Sequence, residues 1–120
     1  MDAGIRVSLF IDAEPEQISA AADCGAGVIE IHTGHYASAG EEQGRQMALD
    51  KIYRGVAQAV RAGMQVNAGH GLHYHNVQAI ARIVDIHEVN IGHAIIARAL
   101  FTGLSNAIGE MKQLLREART

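Results

Sequence analysis

Four short apolar runs, each followed by a stretch whose hydrophobic residues recur at helical spacing, constrain this 120-residue chain more than any other feature. Arg6 to Asp12 (RVSLFID) reads as a mostly apolar strand, and Glu14-Pro15-Glu16 opens a helix through Ala22 with proline at an early helical position. Gly25 and Gly27 end that helix, and Val28 to His32 forms the second strand. A small, polar loop runs to Gly40, and an amphipathic helix follows from Glu42 to Ala62, with Met47, Ile52, Val56, Ala59 and Val60 at helical spacing. Gly63 caps it. Gln65 to Asn67 begins the third strand, Val77 to Ile83 a shorter helix, and Glu88 to Ile91 the fourth strand. From Ala94 the chain reads helical across AIIARAL and, after Gly103, from Leu104 to Ala118, where Met111, Leu114 and Leu115 share one side.

Strand-then-helix repeated four times, with strands that are apolar nearly throughout, predicts parallel strands joined by right-handed crossovers and an α/β class. Two architectures compete, an open doubly wound sheet and a segment of a (β/α)8 TIM barrel, and both place function at the carboxyl ends of the strands. Ionisable and glycine residues end three strands in a row: Glu30 and His32, then His70, then Gly92 and His93. An open sheet concentrates function at the two strands flanking its switch point, whereas a barrel mouth collects residues from all of them. The barrel fits better.

The chemistry is concentrated in VNAGHGLHYHN, Val66 to Asn76. Here a strand runs out into Gly69-His70-Gly71, which holds an imidazole where the backbone is bare. A histidine titrates near neutral pH and can give and take protons in successive steps. The second Gly-His pair, Gly92-His93, follows VNI and leads into a helix, so its amides and the positive helix end suit an anion such as phosphate. Glu30 sits inside an apolar strand, where an unpaired carboxylate is costly, so either a function or a buried partner must explain it. His32, His35 and His87 read as ordinary structural histidines. A zinc reading of His70, His73 and His75 is disfavoured because no acidic or cysteine ligand stands at an established spacing. GxGxxG is absent, which removes a dinucleotide reading.

Composition excludes other classes. With 48% hydrophobic residues the chain can bury a real core as one domain, residues 1–120. A formal charge of -3 supplies no basic stripe for nucleic acid. The apolar runs are short and broken by glycine, with no signal-peptide layout, so a cytoplasmic protein without membrane contact is expected. Cys24 stands alone and is expected to be a small packed side chain at a helix end.

The segments RVSLFIDAEPEQI, GAGVIEIHTGHYA, VNAGHGLHYHNVQAI and HEVNIGHAIIARALFTGL, in this order, resemble the carboxyl-terminal half of the pyridoxine 5'-phosphate synthase family of vitamin B6 biosynthesis. The resemblance implies a (β/α)8 barrel that condenses 1-deoxy-D-xylulose 5-phosphate with 3-amino-2-oxopropyl phosphate, releasing inorganic phosphate and water, with no metal or organic cofactor. It implies that His70 is the proton donor, that Glu30 supports charged intermediates during ring closure, and that Gly71, Gly92 and His93 bind the amino-ketone phosphate. A full barrel needs about 250 residues and eight strands. The chain is therefore expected to be about half a barrel, a truncated form lacking the family's Asn-Val-Asp-His and His-x-Arg-Glu-Asp-Arg-Arg-His stretches. Unpaired edges in such a half predict a homo-oligomer, two copies closing one barrel, or a partner that supplies the other half.

Overall fold

The computed structural model describes residues 2–120 and contains a single four-stranded parallel sheet. Its elements are β1 (Ser8–Ile11), α1 (Pro15–Asp23), β2 (Val28–His32), α2 (Gly34–Ser38), α3 (Glu42–Arg61), β3 (Gln65–Gly69), α4 (Val77–Ala81), β4 (Ile86–Asn90), α5 (His93–Thr102) and α6 (Leu104–Glu117). The strands lie side by side in chain order, β1-β2-β3-β4. That order decides between the two candidate architectures. A doubly wound sheet reverses direction at a switch point, whereas sequential parallel neighbours joined by right-handed crossovers leave every helix on the same face. This is half of a (β/α)8 barrel.

The strand-to-helix exchanges are made locally. Pro15 stands in the first turn of α1, where its missing N–H costs nothing. Both α1 and α3 stop on a glycine of positive φ: Gly25 at +78° and Gly63 at +84°. The amides of Gly25 and Ala26 bond back to Ala22 and Ala21, and those of Gly63 and Met64 bond back to Val60 and Ala59. This pairing closes the helix end and turns the chain directly into the next strand.

The core lies between the outer face of the sheet and the helices. Ile29, Ile31, Val66 and Ala68 of the two central strands are fully buried, and α3 covers them with Ile52, Val56 and Ala59. Gly55 lets α3 come close, since a Cβ there would lie 3.1 Å from that of Ala13. Met47 and Val60 were expected on the same stripe but are 65% and 42% exposed, because the buried stripe centres on Ile52, Val56 and Ala59. Cys24 is also exposed, contrary to expectation. It is the capping residue of α1, where its backbone amide bonds to Ala20 while the chain turns away from the core.

Two further details depart from the sequence reading. Strand β4 begins at Ile86 rather than Glu88 and ends at Asn90. Val66 pairs with Ile86 and Ala68 with Val89, so β4 carries one extra residue around His87 and Glu88, a bulge that shifts the register before Asn90 meets Gly69. The loop after β2 contains a one-turn helix, α2, that positions Tyr36 in the core.

The opposite face of the sheet is open along β1, where Ser8 and Phe10 are exposed, while Val28 and Asn67 at its centre are buried. Ser8, Phe10, Glu30, Gln65 and Asn67 alternate with the core residues along β1 to β3 and form this concave side, with Phe10, Glu30 and Asn67 at one level. The shape follows: the radius of gyration is 15.0 Å, against about 13.6 Å for a compact 120-residue domain. The accessible surface is 7252 Å², against roughly 6,300 Å² for a compact monomer of this mass. Among the described residues, no helix is long and apolar enough to cross a membrane.

Candidate active site

The carboxyl ends of β2, β3 and β4 open into one cleft of about 850 Å³. Glu30, His70, Gly71, Gly92 and His93 all line it, joined by Phe10 from β1 and Asn90 from β4. Residues up to 83 positions apart in the chain, Phe10 and His93, thus meet because parallel strands deliver their carboxyl ends to one rim.

Glu30 reaches the cleft because position 69 has no side chain. A Cβ on Gly69 would collide with Glu30 Oε1 and lie 2.9 Å from the Asn90 carbonyl oxygen. The carboxylate is half-buried and faces the cleft, so solvent on that side offsets the desolvation that an apolar strand would otherwise impose. Beside it on β3, Asn67 is buried and accepts a hydrogen bond from Gln65 Nε2 at 3.3 Å.

His70 follows Gly69 directly and has φ +87°, the one non-glycine residue of positive φ among the described residues. Such a conformation costs a side-chain-bearing residue about 1–2 kcal/mol. It is fixed from the end of β2. Thr33 N donates to the Gly69 carbonyl at 2.8 Å, and the His32 ring stacks on that of His70 with centroids 4.7 Å apart and planes 20° from parallel. Gly34 makes room for this, since a Cβ there would strike the His32 ring. Gly71 also has positive φ, +76°, and lies so close to α2 that a Cβ would be 2.7 Å from that of Ala37. The rest of the loop is tied down by side chains. Asn76 Oδ1 accepts from His73 N at 2.7 Å, and Asn76 Nδ2 donates to Gly71 O at 3.1 Å. Tyr36 and Tyr74 donate their hydroxyls to Asn76 O and Ala107 O, both at 2.7 Å, and Arg98 lies over the Tyr74 ring at 3.9 Å.

Across the cleft, α5 begins at His93 with Gly92 as its capping residue. The amides of its first turn have no intrahelical partner and are supplied with the positive end of the helix dipole. A Cβ at Gly92 would meet nothing within 4 Å, which leaves the approach to those amides clear. The arrangement can hold an anion at α5 while a histidine and a carboxylate work beside it.

Two groups stand where the sequence reading gave no role. His32, taken as an ordinary histidine, lies against His70, and Thr33, its neighbour, is fully buried beneath the same loop. A polar residue ending an apolar strand was the only signal for Thr33. As for metals, Asp12, His32 and His35 bring one ligand atom each within 4.8 Å of one another. A tetrahedral zinc site needs its nitrogen and oxygen ligands about 3.3 Å apart, and His32 Nδ1 already accepts the Gly34 amide at 3.2 Å.

The profile of the family described as "Pyridoxal phosphate biosynthesis protein PdxJ" matches residues 1–117. A curated protein named "Pyridoxine 5'-phosphate synthase" from Magnetococcus marinus is 58% identical over 117 residues, which cover 98% of this chain and 48% of that protein. One of the same name from Aliivibrio fischeri is 54% identical over 118 residues, covering 98% of this chain and 49% of that protein. The chain spans about half the length of both relatives.

Two outcomes follow for the loop. His70→Gly is expected to leave the urea midpoint unchanged or higher, since glycine relieves the positive φ, whereas Gly71→Ala lowers stability by about 1–3 kcal/mol. A lower midpoint for His70→Gly would show that no strain resides there. Burial pushes the Tyr36 phenol above its usual value of 10.0, with Arg45 opposing and Glu42 adding to the shift. The folded state therefore keeps the proton longer than the unfolded chain, so this contribution is full below pH 10 and is lost as pH rises through the raised value. Between pH 8 and pH 11 the native chain is expected to lose more stability than Tyr36→Phe, and equal losses would contradict this.

Proposed function

The chain belongs to the PdxJ family of pyridoxal phosphate biosynthesis proteins, and from that premise we propose that it contributes half of the site of a pyridoxine 5'-phosphate synthase. In that reaction 1-deoxy-D-xylulose 5-phosphate condenses with 3-amino-2-oxopropyl phosphate to pyridoxine 5'-phosphate, with loss of inorganic phosphate and water. The observation that carries the reading is the single cleft in which Glu30, His70, Gly71, Gly92 and His93 converge.

The roles follow from chemistry and position. The amides at Gly92 and His93, at the start of α5, and the bare backbone at Gly71 hold the phosphate of the amino ketone. His70 faces the same space and donates a proton to a departing oxygen in a dehydration step, a task suited to an imidazole, which can carry a proton on either ring nitrogen. Glu30, anchored on β2 and exposed to the cleft, lies where it can balance positive charge on nitrogen as the ring closes. The barrel formed here is open along β1 and β4 and on its concave face, so the deoxyxylulose phosphate is bound by groups from elsewhere, supplied by further strands or by a second copy. The same openness supports a second reading, a half-barrel that binds phosphate esters or associates without catalysis.

The readings separate at the bench. With an added amino-terminal half of the Magnetococcus marinus relative, the chain is expected to form pyridoxine 5'-phosphate from the two substrates, and His70→Ala to reduce the rate by roughly 10²–10⁴-fold. Undiminished activity in His70→Ala would remove the histidine from the mechanism. Sedimentation of the chain alone is expected to show concentration-dependent association through the open face. A monomer at every concentration, with cooperative unfolding, would overturn this.

A further inference from the structure

We propose that Thr33 is a positioning residue for His70, setting the direction of its imidazole through the backbone. The inference rests on the reading of His70 as the proton donor and adds a residue to it. Thr33 is fully buried at the end of β2, and its hydroxyl lies 2.8 Å from the Gly69 carbonyl oxygen and 2.7 Å from that of His70. Its own amide donates to the Gly69 carbonyl at 2.8 Å.

Successive carbonyls of a strand point to opposite sides. Here two consecutive carbonyls converge on one hydroxyl, which they can do only where the chain leaves the extended conformation between them. His70, with φ +87°, is that point. The single hydroxyl proton is shared between the two oxygens; without it the Gly69 carbonyl keeps the Thr33 amide, while the His70 carbonyl loses the donor that Thr33 gives it. With nothing else holding it at the end of β2, the part-buried His70 carbonyl would turn toward water, and rotation of that peptide would carry the His70 side chain with it. The His32 ring, one residue earlier and stacked on His70, then loses its register. Valine at position 33 has the shape of threonine without the donor, while serine keeps the donor without the methyl group.

The prediction is tested in the complemented synthase and in the chain alone. Thr33→Val is expected to lower kcat about 10–100-fold, the size of effect that an ångström of misplacement produces, with KM changed less than about threefold. Thr33→Ser should recover kcat to within about threefold of the native chain. Because the threonine acts through the histidine, Thr33→Val in a His70→Ala background should cost nothing further. In the chain alone, the Cε1–Hε1 NMR resonance of His70 should shift or broaden in Thr33→Val and return in Thr33→Ser, while the methyl resonances of Ile29 and Val66 stay in place. Should Thr33→Val not fold, Thr33→Cys, whose S–H is a weak donor, takes its place, with a kcat expected below that of Thr33→Ser. A native kcat in Thr33→Val, a serine variant as slow as valine, a penalty that persists without His70, or an unmoved His70 resonance would each overturn the proposal. If His70→Ala itself is fully active, the proton-donor reading fails while the resonance still decides what Thr33 holds.

Discussion

The sequential, parallel order of the four strands is the constraint on which everything else depends. Each right-handed crossover returns the chain to the same side of the sheet, so the helices gather on one face and the carboxyl ends of all four strands on one rim. Two properties follow. The outer face has a continuous core built on Ile29, Ile31, Val66 and Ala68, and the rim receives Glu30, His70 and Gly92 from three successive strands.

The loop after β3 shows how stability and site geometry are divided. Its outer part is held by ordinary hydrogen bonds from Tyr36, Tyr74 and Asn76, which reach helices and backbone at 2.7 to 3.1 Å. Its inner part, Gly69 to Gly71, keeps an unfavourable conformation at His70 that the surroundings over-determine. Strain confined to one residue, inside a loop otherwise well satisfied, is the pattern found where a side chain must point in a direction the backbone would not choose alone.

Much of this was legible in the sequence, for physical reasons. Period and punctuation mark elements well when the cause is local: Pro15 at the start of α1, Gly25 and Gly63 at helix ends, and the Ile52–Val56–Ala59 stripe of α3 all act within a turn of where they stand. The glycine-flanked histidines at the strand ends stood out for the same reason. What stayed hidden depends on contacts between distant segments. The bulge that starts β4 at Ile86 is set by pairing with β3, the burial of Thr33 by a loop more than thirty residues away, and the stacking of His32 by a backbone conformation at His70. Cys24 illustrates the converse, since a residue type that is usually buried is exposed where a cap turns outward.

The glycine at position 69 has a consequence that reaches past its own conformation. Glu30 occupies the volume a side chain there would fill, so the two positions are joined by the absence of atoms rather than by any bond. A side chain at 69 would displace the carboxylate from one side and press on the β4 backbone at Asn90 from the other, so shortening residue 30 alone would not make room for it. The empty position thereby gives the acid room to reach the cleft between two strands, without placing a charge beside it.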